Sequence, residues 1–387
     1  MVEWKKIKDV CSNICSGGTP NTKNRDYYYG DIPWLRTQEV DWGNIYDTEI
    51  KISQKGLDNS SAKIIEKDCV IVAMYGATAA KVAINKIPLS TNQACCNLKI
   101  NKDISCYRYV YYWLCKEYHK LKALGEGSQN NISGLKIKDY PIPIPSLSEQ
   151  NRIVLILDTF TASIENLKQQ IAQRRKQYEH YREILLDLEG KEGVEIKTLE
   201  DVCVIKGEYG LSVSSKPFDG IRYLRITDIT DSGNLNDDLV SAVTNDDVSK
   251  EPLVDGDILF ARTGATVGKT LVYRKEFGLC LFAGYLIRYR FNHLFVLPQY
   301  MFHYTHSTKY YKWVKSNIDE GAQPNINAKK YNGLRFPLPP LSEQQRIVSI
   351  LDTFEASISN LEAQLEQRQK QYEYYRNKLL SFEKEEQ

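Results

Sequence analysis

The sequence lacks any unbroken run of 18 apolar residues, so it contains no candidate transmembrane helix. Its opening residues, MVEWKKIKDVC, hold no apolar stretch of the kind that forms a signal peptide. Hydrophobic content of 42% and charged content of 26% are ordinary for globular proteins. We therefore expect a cytoplasmic protein without a membrane partner, whose 387 residues divide into two or three domains.

Disulfide pairing is not indicated either. The nine cysteines are odd in number, and seven of them precede residue 143. This distribution favours reduced thiols over a disulfide framework. Cys11-x3-Cys15 and Cys95-Cys96 allow a zinc alternative, but no histidine lies close in sequence to complete a ligand set. Buried thiols without a metal are the favoured interpretation.

Catalytic motifs are missing as well. The Asn/Asp-Pro-Pro-Tyr/Phe motif of amino-methyltransferases does not occur, and no Gly-x-Gly-x-x-Gly follows a strand. Residues 264–270, GATVGKT, resemble a phosphate-binding loop but have three residues between the glycines instead of four, so we predict a turn between two strands. No base or nucleophile is paired in the sequence with any of the five histidines, which are His119, His180, His293, His303 and His306. We predict a protein that is not an enzyme and holds no cofactor.

What the chain does contain is an internal repeat. Residues 143–186 and 337–380 are identical at 30 of 44 aligned positions, and each copy has the pattern of one long helix. In both copies, apolar positions alternate at spacings of four and three, which is the seam of a coiled coil. The seam residues are Ile153, Leu157, Phe160, Ile164, Leu167, Ile171, Arg174 and Tyr178 in the first copy, and Ile347, Leu351, Phe354, Ile358, Leu361, Leu365, Arg368 and Tyr372 in the second.

The ends of these helices are also marked. Ser148 and Ser342 follow proline-rich extended runs, and Ser342 with Gln345 has the form of a capping box. About 41 residues at about 1.5 Å each make a rod of about 60 Å. We predict that the two helices pair with each other in antiparallel fashion. The alternative is that each helix packs only on its own neighbouring domain.

The segments between the helices are diverged copies of each other. Residues 4–11 correspond to 196–203, and residues 32–37 correspond to 221–226. Both copies continue through a strand to Gly-Ala-Thr, at Gly76 and Gly264, and then to GSQNNIS at 127–133 or GAQPNIN at 321–327. Each also has a tyrosine-rich helical pattern, at 107–124 and 298–316. The interpretation is a pair of similar α+β domains whose sequences have diverged while the helices stayed alike.

This pattern resembles the specificity subunit of type I restriction-modification systems over essentially the whole chain. The resemblance rests most on the duplicated P-x-P-x-L-S-E-Q-x-R-I-V-x-I-L-D, which occurs at residues 143–158 and again at 337–352. It is supported by the opening W-x-x-I-K-D-V at 4–10, the L-R-T and L-R-I strands, and the G-x-Q-x-N-I segments. It implies a target recognition domain at 1–142, a conserved helical region at 143–192, a second recognition domain at 193–336 and a second helical region at 337–387.

The resemblance implies an α+β fold in which two similar globular domains are joined by two long helices. These helices form an antiparallel intramolecular coiled coil with pseudo-twofold symmetry. It further implies a non-catalytic host-defence subunit in which each domain reads one half of a two-part double-stranded DNA target. The paired helices would set the gap and dock two methyltransferase subunits, and a motor and nuclease subunit would join them. S-adenosylmethionine, ATP and Mg are expected on those partners only. Competing hypotheses are a self-contained methyltransferase or nuclease, and a coiled-coil adaptor that does not read DNA.

Reading bases requires polar and basic side chains on exposed loops. Residues 1–142 carry 20 Lys+Arg against 15 Asp+Glu, so the first domain has a net charge of +5. For Arg36 and Arg225, which recur in both domains, a role in the fold or in phosphate contact is an alternative. The candidates are Thr19, Asn21, Lys23, Arg25, Arg36, Thr37, Gln38, Tyr75, Thr78, Lys81, Gln129, Asn130 and Asn131 in the first domain, and Lys206, Tyr209, Lys216, Arg225, Thr227, Arg262, Thr263, Lys269, Gln323 and Asn325 in the second.

Overall fold

The computed structural model describes residues 2–127, 130–243, 252–319 and 323–383. The chain divides into two compact units: Met1–Lys168 with Ala363–Gln387, and Gln169–Glu362. Each unit therefore contains one globular domain and one half of each long helix. Within the described residues, no helix is both long and apolar enough to span a membrane.

The first unit is built on a five-stranded sheet of order β2-β10-β7-β8-β4 and a four-stranded sheet of order β5-β3-β9-β6, with β1 and β11 paired separately. Its strands are β1 Glu3–Lys6, β2 Cys11–Ser16, β3 Ile32–Leu35, β4 Asn44–Ile45, β5 Ile50–Ile52, β6 Ile64–Ile65, β7 Val70–Ala73, β8 Val82–Asn85, β9 Leu89–Thr91, β10 Cys95–Ile100 and β11 Pro141–Ile144. Its helices are α1 Gln54–Asp58, α2 Tyr107–Lys116, α3 Tyr118–Lys122, α4 Gly134–Lys138 and the start of α5 Leu147–Leu186.

The second unit repeats this plan with shorter sheets. Its main sheet has the order β13-β20-β17-β18, and three two-stranded sheets pair β15 with β19, β14 with β16 and β12 with β21. Its strands are β12 Glu195–Thr198, β13 Cys203–Tyr209, β14 Ser215–Pro217, β15 Arg222–Leu224, β16 Val240–Ala242, β17 Ile258–Ala261, β18 Thr270–Val272, β19 Cys280–Phe282, β20 Leu286–Phe291 and β21 Arg335–Leu338. Its helices are α6 Leu199–Val202, α7 Pro298–Tyr304, α8 Thr308–Asn317, α9 Ala328–Asn332 and the start of α10 Leu341–Leu379.

The core of each unit lies between its main sheet and its tyrosine-rich helices. All four residues of β7, Val70–Ala73, are buried, as are all four of β17, Ile258–Ala261, because both strands are central and apolar on both faces. In the first unit, Ile153 and Leu157 of α5 and Leu380, just after α10, have no exposed surface and join this core. The long helices are therefore part of the domain cores as well as partners of each other.

The patterns at 107–124 and 298–316 are helical, as predicted, and each forms two successive helices. Ser307 caps the second helix of the second domain by accepting a hydrogen bond from the Tyr310 amide at 3.2 Å.

The capping box at Ser342 is wrong, because α10 begins at Leu341 and places Ser342 inside its first turn. The helix thus begins two residues earlier than an N-cap at Ser342 predicts, and the Pro340 carbonyl accepts from the Gln344 amide at 3.0 Å.

The helix pairing is antiparallel, as predicted. In the first unit, the Phe160 ring of α5 stacks on the Tyr375 ring of α10 at 5.3 Å between centroids. In the second unit, the Phe354 ring of α10 stacks on the Tyr181 ring of α5 at 5.4 Å. The N-terminal half of each helix thus packs against the C-terminal half of the other. Phe160 and Phe354 are equivalent positions of the repeat, as are Tyr375 and Tyr181, so each unit contains the same helix contact.

Candidate nucleic-acid interface

Each domain has one edge where several predicted DNA-reading residues come together. In the first domain β3 runs parallel to β9, and the Asn92 amide donates to the Leu35 carbonyl at 2.9 Å. In the second domain β15 runs parallel to β19, and the Ala283 amide donates to the Leu224 carbonyl at 2.8 Å. Because the two strands of each pair are parallel, they end at the same edge of the sheet, and the residues that follow them lie on one surface. In the first domain, Arg36 is the first residue of this surface.

In the first domain, the predicted residues Thr37, Thr78 and Asn131 lie near this edge. The Thr78 hydroxyl donates to the Thr37 carbonyl at 2.9 Å, and the Gly76 amide donates to the Asn131 side-chain oxygen at 3.2 Å. These bonds join the Gly76–Thr78 turn to the segment after β3 and to the loop that contains Asn131. Lys81, at the end of the same turn, forms an ion pair of 2.5 Å with Asp41.

The remaining residues of the first domain are placed more separately. The Thr19 hydroxyl donates to the side chain of Gln93, which follows β9. The Asn21 side chain accepts from the Lys23 amide at 3.0 Å. Lys23 and Arg25 are exposed and form no ion pair within the described part of the chain. The other predicted residues of this domain that are exposed are Asn21, Gln38, Tyr75 and Asn130, whereas Gln129 lies outside the described residues.

In the second domain, Arg262, Tyr209 and Asn325 form a compact cluster. The Arg262 guanidinium carbon lies 4.9 Å from the centre of the Tyr209 ring, a cation–π distance. The Arg262 Nε donates to the Asn325 Oδ1 at 3.3 Å, and a backbone bridge joins Thr263 to Asn325. Gln323 is exposed two residues before Asn325. These residues come from three separate segments, so only the folded chain assembles them.

Other predicted cations of the second domain are neutralised by carboxylates. Lys269 lies 2.7 Å from Asp231 and Lys216 lies 2.5 Å from Asp219. The hydrogen bond from Lys269 lowers the pKa of Asp231, and that from Lys216 lowers the pKa of Asp219, so both carboxylates are ionised near neutral pH. Lys206 and Thr227 are exposed.

Arg36 and Arg225 stabilise local turns, in line with the alternative raised for them. The Arg225 Nη2 donates to Asp228 Oδ1 at 2.7 Å, and this hydrogen bond raises the pKa of Arg225. Asp228 also accepts from the Arg225 amide at 2.8 Å and closes a 3-10 turn. Arg36 forms ion pairs with Glu39 and Glu49 at the equivalent turn. Both guanidinium groups are therefore already bound to carboxylates of their own domain.

The segment that resembles a phosphate-binding loop is a turn between strands, as predicted. Gly264–Thr266 forms one 3-10 turn between β17 and β18. Lys269 binds Asp231, and the Thr270 hydroxyl is buried 2.7 Å from the Thr305 hydroxyl. Neither side chain is therefore available at the turn to hold a phosphate or a magnesium ion.

The cysteines considered for zinc are not arranged as a ligand set. Cys95 and Cys96 are successive residues of β10, so their side chains point to opposite faces of the sheet. Burial raises the pKa of Cys11 and Cys96 to about 12, which keeps both thiols protonated. Among the described residues, the group close enough to hold a metal is His303 with Asp352 and Glu355.

The predicted seam residues are all buried or partly buried. Arg174 and Arg368, the polar positions of the seam, lie over the phenylalanine rings of the opposite helix. The Arg174 guanidinium carbon is 5.8 Å from the Phe354 ring centre, and that of Arg368 is 5.7 Å from the Phe160 ring centre. Because an arginine can stack on an aromatic face, these polar positions extend the seam instead of interrupting it.

The sequence reasoning missed a buried glutamine at the start of each long helix. Gln150 and Gln344 have no exposed surface. The Gln344 Nε2 donates to the Phe295 and Pro339 carbonyls at 2.8 and 2.9 Å, while its Oε1 accepts from the Leu297 amide at 2.9 Å. Gln150 makes the equivalent bonds in the first unit. The signal was the invariant Gln of the repeated L-S-E-Q, which the helical pattern alone does not require.

A second missed residue is Tyr285, which lies at the candidate interface. It follows β19, its side chain is 59% exposed, and its carbonyl accepts from the Arg262 amide at 3.0 Å. An exposed tyrosine at the edge that carries Arg262 is suited to contact with a base or a sugar. No local sequence signal marks it, because its place depends on the pairing of β15 with β19.

Comparisons with known proteins agree over most of the chain. Residues 1–174 and 191–369 match the type I restriction modification DNA specificity domain. The specificity subunit of the EcoR124I/EcoR124II type I restriction enzyme of Escherichia coli is 32% identical over 299 residues, which are 72% of each chain. A putative type I restriction enzyme specificity subunit of Haemophilus influenzae is 28% identical over 405 residues and covers 98% of this chain and 96% of its own.

Solved structures show the same fold. The type I restriction-modification S subunit from M. genitalium aligns with 99% of this chain and 97% of its own, with a TM-score of 0.63 and 16% identity. A chain from a structural study of complex assembly and conformational transition in the type I R-M system aligns with 98% and 97%, with a TM-score of 0.62 and 18% identity. With two matched domains and a relative above 30% identity, the chain belongs to the specificity subunits of type I restriction-modification systems, which are their non-catalytic DNA-recognition components.

Proposed function

We propose that the chain reads a two-part DNA target, with residues 1–142 and 193–336 each recognising one half. The observation that carries this proposal is the exchange of helix contacts: Phe160 with Tyr375 in one unit and Phe354 with Tyr181 in the other. Each domain is thus joined to an equivalent pair of helix halves that make the same contact. Two domains that are attached in the same way but differ in their surface residues are suited to recognising two different DNA sequences.

In this proposal the DNA-contacting surface of each domain is the edge that follows its parallel strands. Support comes from the polar side chains gathered there, including Thr37 and Asn131 in the first domain and Arg262 and Asn325 in the second. Exposed Lys23 and Arg25 would add phosphate contacts beside the first edge. The ion-paired candidates, such as Lys269 with Asp231, would contribute less, because their charge is already compensated.

The helices would set the gap between the two half-sites. They have 40 and 39 residues, so each is about 60 Å long, equivalent to about 18 base pairs at about 3.4 Å per pair. Their stiffness is supported by aromatic and arginine stacking along the seam. A rigid spacer converts a fixed protein length into a fixed number of unread base pairs.

The helix surfaces would also dock two methyltransferase subunits, one on each unit. Tyr181 and Tyr375 support this, since they occupy equivalent positions and keep 45% and 41% of their surface exposed. A motor and nuclease subunit would join through the methyltransferases. S-adenosylmethionine, ATP and Mg would be held by these partners, and the assembly would act in the cytoplasm, where the DNA lies.

Selection from a random DNA library tests this function. The chain is purified with its methyltransferase partner, incubated with the library and S-adenosylmethionine, and the methylated adenines are mapped. We expect a split consensus with one constant gap. Methylation without a consensus, or a single uninterrupted site, would contradict the proposal. An adaptor that does not read DNA would give the first of these results.

A further inference from the structure

The cations of the second domain differ in how far their charge is already compensated. Arg225, Lys269 and Lys216 are paired with Asp228, Asp231 and Asp219. Within the described residues, no carboxylate lies in ion-pair range of Arg262. Its charge is therefore available to a ligand, although its side chain is only partly exposed.

Arg262 is also held in one orientation. Its guanidinium lies over the Tyr209 ring at 4.9 Å, and its Nε donates to the Asn325 Oδ1 at 3.3 Å. Both supports are themselves fixed. The Tyr209 hydroxyl accepts from the Ala328 amide at 2.9 Å, and Asn325 forms backbone bridges to Thr263 and Asp319. An arginine positioned by stacking and by Nε loses little side-chain entropy when it binds, which is a property of recognition sites.

In this arrangement, the edge of the Arg262 guanidinium that carries its two terminal nitrogens is left for the ligand. Two parallel N–H donors on a planar, charged fork match the O6 and N7 acceptors of guanine in the major groove. A phosphate accepts the same fork but does not require a fixed plane, because lysine also binds phosphate, as a point charge.

We propose that Arg262 reads one guanine in the half-site of the second domain, with Tyr209 and Asn325 as positioning residues. This inference rests on the proposed function, because it names a base contact within the site already assigned to DNA. The first domain cannot make the same contact. Met74 occupies the position equivalent to Arg262, since the Ile132 and Ile326 amides donate to the Met74 and Arg262 carbonyls, and Met74 is 4% exposed.

The test uses the full chain with its methyltransferase partner and compares the unmodified protein with Arg262→Lys and Arg262→Ala. Each protein methylates the same DNA library, and the preference at each position of both half-sites is measured. For both variants we expect the preference for guanine at one position of the second half-site to fall about 5- to 150-fold. The first half-site should be read unchanged, and this also serves as the control for folding.

The lysine variant separates a base contact from a phosphate contact. If Arg262 binds phosphate, Arg262→Lys should retain most of the activity, and Arg262→Ala should weaken all sequences equally with a smaller dependence on salt. Either of these outcomes, or unchanged base preferences, would overturn the inference while the split consensus of the unmodified protein stands. If the unmodified protein shows no split consensus, the proposed function itself fails. Should Arg262→Ala fail to fold, as shown by its melting temperature, Arg262→Lys alone decides.

Discussion

The ring Nε2 of His303 lies 2.8 Å from the Asp352 carboxylate and forms a hydrogen bond between α7 and α10. In the first unit the equivalent carboxylate, that of Asp158 on α5, lies 2.6 Å from the Nη2 of Arg108 on α2. A tyrosine of the other long helix completes the second cluster, because the Tyr178 hydroxyl lies 3.2 Å from the His303 Nδ1 and donates to Glu355 at 2.7 Å. The two domains are thus fastened to the helices through equivalent aspartates, which bind different basic residues, Arg108 in one domain and His303 in the other.

We expect His303 and Asp352 to be energetically coupled. His303 has no exposed surface, so removing either partner leaves a polar group poorly satisfied. A double-mutant cycle with His303→Ala and Asp352→Asn, measured by urea unfolding, should give a coupling free energy of about 1–3 kcal/mol. The exposed pair Glu149 and Arg152, at 2.6 Å, is the control and should give less than about 0.5 kcal/mol. Equal coupling in the two cycles would contradict this.

Acid should destabilise the second unit through His306. Burial lowers the pKa of His306 to about 4, below the ordinary value of 6.5. Because folding disfavours the protonated ring, its contribution to stability is complete above pH 6.5 and is lost as the pH falls from there through about 4. The loss should be at most about 3 kcal/mol. Urea unfolding between pH 7.5 and 4 should show a weaker pH dependence for His306→Gln, and identical curves would rule out this role.

The buried glutamines at the helix starts should contribute strongly to stability. Gln344→Ala removes three hydrogen bonds and leaves the Phe295 carbonyl and the Leu297 amide without their partner. We expect a loss of about 3 kcal/mol in the free energy of unfolding. Gln345→Ala, one residue later and exposed, is the control and should change it by less than about 0.5 kcal/mol. A similar small change for both variants would show that the bonds contribute little.

The two glycines of the Gly264–Thr266 turn region should differ in their tolerance of alanine. Both have positive φ, +69° at Gly264 and +90° at Gly268. A Cβ at Gly264 would meet nothing within 4 Å, whereas one at Gly268 would lie 2.9 Å from the side chain of Val314. Gly264→Ala should cost about 1 kcal/mol for its backbone conformation alone, and Gly268→Ala about 2–4 kcal/mol. Thermal unfolding measures the stability of both variants. Equal losses of stability would show that the Val314 side chain can move aside at no cost.

Lengthening both helices should lengthen the unread gap in the DNA target. Seven residues that continue the heptad pattern are inserted between Lys168 and Gln169 and between Glu362 and Ala363. Each helix grows by about 10 Å, so the gap should increase by up to about three base pairs with both half-sites unchanged. Library methylation measures the gap. An unaltered gap would refute the role of the helices as spacer, whereas a changed half-site would show that the insertion disturbed a domain.

The helices and the doubling of the domains could be predicted because they depend on patterns within each segment. The 4-3 spacing around Leu157 and Leu351 is local, and the antiparallel pairing follows from two equal rods in one chain. The helix starts were misplaced because Ser342 and Gln345 satisfy a local rule that the preceding prolines override. A proline run keeps the backbone extended, and the helix begins where this extended backbone ends.

The candidate interface was predictable only in part. The groups around Thr37, Thr78 and Asn131 could be named from polarity, but their meeting depends on strand pairing. The Arg262 cluster joins residues from segments more than 50 positions apart, so no window of sequence reveals the stack on Tyr209. Polarity also could not separate available cations from compensated ones, since Lys269 acquires Asp231 only in the fold.

The make-up of the two units has a consequence for the order of events at the ribosome. The second unit, Gln169–Glu362, is one continuous stretch, whereas the first combines Met1–Lys168 with Ala363–Gln387. Leu380, which has no exposed surface in the folded protein, belongs to the core of the first unit and is translated after the whole of the second unit. The domain translated first can therefore complete its core only after the second unit has been translated, and until then a nascent chain carries it with part of that core uncovered.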